Sequence, residues 1–192
     1  MKRILFIFSL VFIISCESPV NNGVSEENQA KFEQQIESFR IFTEGFSKED
    51  VELTMSVIAD DIKWSPPVYN GGETIGYDGF VEALKGYFET FDNVQFIEGE
   101  GPNLGPALSA DANTAFWSGS LYSSATPTDD PSGLRVYGVW KWKHTESGAE
   151  GGNKWYGLIN FNEEGKIYGF SDYMDYHGMQ VQIENYIKSS QN

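Results

Sequence analysis

The hydrophobic pattern changes period along the chain. From Ser25 onward Phe32, Ile36, Phe39, Phe42 and Phe46 recur at spacings of four, three, three and four, the repeat of one apolar helix face behind an acidic start. Gly45 and Ser47 break that pattern, and "SKEDVELTMSVIADD" predicts a second short helix with Val51, Thr54, Met55 and Ile58 on one side. "DIKWSPP" then reads as a brief strand, Ile62 and Trp64 on one face, halted by two prolines. After a Gly-Gly loop, "YDGFVEALKGYFETF" gives the clearest helix, with Tyr77, Val81, Leu84, Phe88 and Phe91 in register.

Beyond Phe91 the period becomes two. "VQFIEGE", "NTAFWSGSLYS", "LRVYGVWKWKH", "KWYGLINF" and "KIYGFSDYMD" are rich in aromatic and β-branched residues and are separated by Gly, Pro, Asn and Asp clusters, as in successive antiparallel strands. A short amphipathic tail through Met179, Ile183 and Ile187 adds a last helix. Helices first and a meander afterward predict an α+β fold with the helices on one face of a curved sheet. No internal repeat is present.

The N-terminus changes the picture of where this domain works. "MKRILFIFSLVFIISC" has a basic start at Lys2 and Arg3, then an apolar run from Ile4 to Ile14 that is about half the ~20 residues needed to cross a bilayer. It reads as an export signal over residues 1–15. Ile13-Ile14-Ser15-Cys16 resembles the bacterial lipobox, which implies lipidation of Cys16, palmitate included; simple cleavage without lipid is the alternative. Cys16 is the only cysteine, so the mature chain has no intrachain disulfide partner and no cysteine set for zinc. Residues 16–27 fit a flexible tether, and residues 28–192 suit one domain with a sizeable core. The expected location is the cell envelope of a bacterium, with the domain lipid-anchored to a membrane.

Removal of residues 1–15 leaves 28 acidic side chains against 11 basic ones, a net charge near −17. Such a surface repels phosphate backbones and anionic headgroups, so nucleic acid is not an expected partner and membrane attachment falls to the lipid.

The order helix, helix, short strand, helix, then four or five antiparallel strands resembles the NTF2-like superfamily, in particular its SnoaL-like branch. The phrases that carry the resemblance are "VIADDIKWSPP", "GYDGFVEALKGYFETF" and "NEEGKIYGFSDYMD", spanning Phe32 to Asp175. It implies an NTF2-like cone, three N-terminal helices packed on a curved antiparallel sheet, with a cavity at the wide end and often a homodimer through the outer sheet face. The fold hosts isomerases, cyclases, dehydratases, epoxide hydrolases and members that only bind or assemble, so the cavity's polar groups decide function.

In "IYGFSDYMD" strict alternation puts Tyr168, Phe170, Asp172 and Met174 on one face and Ile167, Gly169, Ser171, Tyr173 and Asp175 on the other. The first face, large apolar residues around one acid, is what a pocket lining looks like. The resemblance also implies that the first acid of such an ending projects into the cavity. Asp172 is therefore the candidate general acid or base, since an aromatic surround raises a carboxyl's pKa toward the working pH. A buried carboxyl satisfied by neighbours and doing no chemistry is the alternative.

Trp64, Phe116 and Trp140 join Tyr168, Phe170 and Met174 as candidate ligand contacts, while Trp142 and Trp155 add to the aromatic weight of the sheet. Tyr87 or Tyr122 could donate to an oxyanion, but the sequence places neither. Epoxide hydrolysis is disfavoured: the resemblance implies a second acid with an arginine on an earlier strand for that chemistry, and "NTAFWSGSLYS" offers only Ser118 and Ser120 among its central polar side chains. His144 reads as a solvated strand end and His177 as part of a turn. Two isolated histidines make no metal motif, and "TPTDDP" reads as a solvated hairpin loop. No phosphate loop, serine elbow or cysteine nucleophile occurs, and no cofactor is expected.

The sequence thus points to an exported, lipid-anchored domain that binds a small, largely apolar molecule in an aromatic cavity. A cofactor-free isomerase, cyclase or dehydratase using Asp172, and an assembly module with a filled cavity, are the alternatives.

Overall fold

The computed structural model describes residues 25–99, 115–118 and 131–191. The export signal, Cys16 and most of the tether lie outside them, as do Ser120, Tyr122 and most of the "TPTDDP" loop.

Helix α1 spans Glu26–Lys48, capped by Ser25, whose hydroxyl accepts from the Asn28 backbone N–H at 3.1 Å. Its apolar face buries Phe39 and Phe42 completely or nearly so, with Phe32, Ile36 and Phe46 half-buried beside them. Gly45 does not break this helix, as the sequence suggests. A Cβ there would lie 2.7 Å from the Thr54 backbone nitrogen, so glycine is what lets α1 touch the next helix. Helix α2 is short, Val51–Ser56, and is capped by Asp50 on the Leu53 N–H at 2.9 Å.

Strand β1, Ile58–Ser65, begins three residues earlier than its sequence pattern suggests. Ile58 leaves the helix because it pairs with Ile167 on the last strand, an anchor reinforced by the Ile167 N–H donating to Val57 O at 2.8 Å. Helix α3 covers Tyr77–Thr90 and turns Phe80 and Leu84 inward. The remaining strands are β2 (Phe91–Glu98), β3 (Phe116–Ser118), β4 (Gly133–His144), β5 (Glu150–Phe161) and β6 (Ile167–Met174), and helix α4 (Tyr176–Ser190) follows.

The strands form one curved, unclosed sheet in the order β1-β6-β5-β4-β2, with β3 sharing the β2 edge of β4. Only β1 and β6 run parallel. The expected α+β cone of helices on a curved sheet is what the chain builds.

Glycines on the concave face carry rings instead of side chains of their own. Phe96 lies over Gly138, Trp142 over Gly151 and Trp155 over Gly157. Phe39 of α1 sits at the centre of the resulting cluster, with ring centroids 5.2 Å from Phe96, 5.7 Å from Trp155, 5.8 Å from Phe42 and 6.0 Å from Phe116. Truncating a fully buried ring leaves a cavity as well as losing transfer energy, so Phe39→Ala should cost about 3–5 kcal/mol. Urea unfolding would show this as a lower midpoint at unchanged slope.

Candidate functional site

Between α3 and the concave sheet lies a cavity of about 80 Å³, room for a compact group or several waters but far short of a drug-sized pocket of several hundred Å³. Helix α1 contributes Phe42 and Phe46 to its wall, α3 contributes Phe80, Ala83, Leu84 and Tyr87, and the sheet contributes Trp64, Trp140, Trp142, Trp155 and Phe170. Met179 of α4 closes one side. That helix is stitched to the sheet by Gln182, which accepts from the Gly152 N–H at 3.1 Å and donates to the Gly152 carbonyl at 3.0 Å.

Among the described residues Asp172 is the only acidic one in the wall, and it is 6 % exposed. Its two oxygens are held separately: Oδ1 accepts from Trp64 Nε1 at 2.9 Å and Oδ2 from Trp155 Nε1 at 3.1 Å. The two indoles come from β1 and β5, the strands on either side of β6. Register explains the reach. Asp172 pairs with Gly157, and the Trp155 ring occupies the space over that glycine, which carries its N–H to the carboxyl.

Burial pushes the Asp172 carboxyl above its ordinary pKa, and the indole N–H groups of Trp64 and Trp155 pull the other way without cancelling it. Tyr87 lines the same cavity, and burial together with the Asp172 charge holds its phenol protonated far above neutral pH. The other polar wall residue, Asn153, is engaged: its Oδ1 accepts from Trp142 Nε1 at 3.1 Å. Among the described residues no lysine, arginine or histidine lines the cavity. Each carboxylate oxygen has a second lone pair, so the site can accept further hydrogen bonds, or donate one when Asp172 is protonated. Among the described residues no group of His, Cys, Asp and Glu is placed to hold a metal ion.

Of the sequence candidates, Asp172, Trp64, Trp140, Phe170 and Met174 meet at this cavity. Tyr168 does not. Gly169 pairs with Asn160 but Ile167 with Phe161, so β6 carries one extra residue at Tyr168, and this bulge turns Tyr168 outward, 39 % exposed. The same bulge buries Ile167, which strict alternation assigns to the outer face. Phe116 is buried but elsewhere, packed on Phe39 and beneath the Arg40 guanidinium, 5.5 Å from its ring centroid. Asp175 caps α4 by accepting from the Gly178 N–H at 2.8 Å, and His177 lies in that helix's first turn. His144 Nδ1 sits 2.9 Å from Ser147 Oγ at the β4 end, away from the cavity.

The sequence reading missed Trp155 as an Asp172 partner and left Tyr87 unplaced. The signal for Trp155 was Gly157 two residues on, a bare backbone position on the same face of an aromatic strand. Tyr87 had no local signal; its place follows from how α3 docks.

No family model matches the sequence, and no curated protein does. Solved structures do. A proposed polyketide cyclase from Xanthomonas campestris superposes with a TM-score of 0.57 at 12 % identity, over 80 % of this chain and 98 % of that one. An NTF2-like protein from Burkholderia pseudomallei gives 0.53 at 17 % identity, over 78 % and 97 %. TerC, co-crystallised with polyporic acid, gives 0.54 at 17 % identity, over 79 % and 98 %. At such identities the likeness carries architecture alone, and the architecture it carries is the one built above from helices, sheet and cavity: this chain has the NTF2-like fold.

Proposed function

We propose that the aromatic cavity binds a small, largely apolar molecule, with Asp172 as the polar group that orients it, and that a lipid on Cys16 holds the domain at a membrane of the bacterial cell envelope. The observation that carries the binding reading is a hollow whose wall is aromatic and aliphatic except at Asp172, Asn153 and Tyr87. A binding site of this kind needs apolar walls and a few placed polar atoms. Structural neighbours include TerC, co-crystallised with polyporic acid, which supports the use of this fold for small-molecule binding. The tether composition and the Ile13-Ile14-Ser15-Cys16 sequence support the anchor.

The outer sheet face supports a homodimer. Tyr137, Tyr156 and Tyr173 form a row across β4, β5 and β6 with successive ring centroids 6.3 Å apart, and Tyr173 is 56 % exposed. Native mass spectrometry of the purified protein should therefore show a dimer, with a co-purifying small molecule in the same spectrum. A monomer carrying nothing would count against both.

A second reading, acid–base catalysis by Asp172, is favoured by its raised pKa beside a protonated Tyr87. If Asp172→Asn retained a co-purified compound but stopped its conversion, catalysis would displace binding alone. The pKa has its own signature. Because the folded pKa lies above the unfolded one, the folded protein keeps a proton that the unfolded chain has released between the two values. Any stability from this group is present below the unfolded value of about 4 and is lost as pH rises through the folded value. Thermal melts should show Asp172→Asn gaining on wild type as pH rises above about 4, whatever their offset at low pH. A difference independent of pH would mean that the carboxyl titrates normally.

The anchor is tested separately. Cys16→Ser should move the protein from the membrane fraction to the soluble fraction and abolish incorporation of labelled palmitate.

A further inference from the structure

The Asp172 carboxyl is well supplied with hydrogen bonds but not with countercharge. Its side-chain partners are two neutral indole N–H groups, and among the described residues no cationic side chain reaches the cavity. A buried carboxylate without an opposing charge is costly, and an occupant can supply what the wall lacks. The walls suit one class of occupant. Indole and phenol faces carry the negative end of a ring quadrupole and attract cations, indole most strongly. Trp64, Trp140, Trp142, Trp155 and Tyr87 all line the space around Asp172.

We propose that the cavity takes a small methylated ammonium cation, its charge opposite the Asp172 carboxylate and its methyl groups against the surrounding rings. The inference rests on the reading that the cavity is a binding site and names the chemistry of what enters it. Methylation follows from the polar inventory. A primary ammonium brings three N–H donors that need acceptors, whereas beyond the remaining lone pairs on Asp172, Asn153 and Tyr87 the wall described here is rings and aliphatic groups, and only Asp172 carries a matching charge. A quaternary head brings none. Size agrees, since about 80 Å³ admits a compact head group and not a polycyclic skeleton. The formal net charge of −15 also raises the local concentration of cations over anions.

The test compares choline with its uncharged isostere 3,3-dimethylbutan-1-ol by calorimetry on the wild-type protein, so it does not depend on a variant folding. Choline should bind at least about tenfold more tightly. Asp172→Asn should remove that preference, choline losing more affinity than the alcohol, and Trp140→Leu should weaken choline binding while native circular dichroism is retained. Ammonium chloride should not compete with choline.

Equal or tighter binding of the alcohol would overturn the cation inference and leave an apolar binding site standing. If neither probe bound but native mass spectrometry found a different molecule in the cavity, the cation inference would again fail alone. If neither probe bound and the purified protein carried nothing, the binding reading would fall with it.

Discussion

A carboxylate placed among rings has to be solvated by something other than water, and here two indole N–H groups do it. Each takes one oxygen of Asp172, and each arrives from a different neighbouring strand. The pair therefore joins β1, β6 and β5 through side chains as well as through the backbone. Because the donors are neutral, they fix the carboxyl's position without cancelling its charge. Geometry is settled while electrostatics stays open, and burial raises the carboxyl's pKa against the pull of these donors.

The hollow around the carboxyl has its origin in bare backbone positions. Large rings ordinarily stand away from a sheet and interlock with the layer above. On this concave face Trp155, Trp142 and Phe96 instead occupy the space over Gly157, Gly151 and Gly138. Of these, Trp155 and Trp142 wall the space beneath α3 and α1, and Trp155 is led to Asp172 by the same arrangement. Helix α4 then limits access, through Met179 in the wall and Gln182 bonded to both backbone groups of Gly152.

Where the alternation along β6 is regular, inward and outward faces are legible from sequence, and Phe170, Asp172 and Met174 stand where the pattern puts them. At Tyr168 it fails, because one unpaired residue exchanges the faces on either side of it, and nothing in the side chains of "KIYGF" announces a bulge. Ile58 fails for a related reason: its helical spacing with Met55 is genuine, but pairing with Ile167 outweighs it. Gly45 reads as a breaker and is a contact, since the difference lies in Thr54 of another helix.

By itself the sequence determined the α+β order of elements, the aromatic character of the sheet and the inward direction of Asp172. These follow from period and composition, which act over a few residues. Only the tertiary structure decided that Trp64 and Trp155, 108 and 17 residues away from Asp172, would share its carboxyl. It likewise decided that Phe116 and Tyr168 would be excluded from the cavity and that Tyr87 would enter it. Those outcomes depend on strand register and helix docking, which are set by contacts between segments that carry no mark of one another.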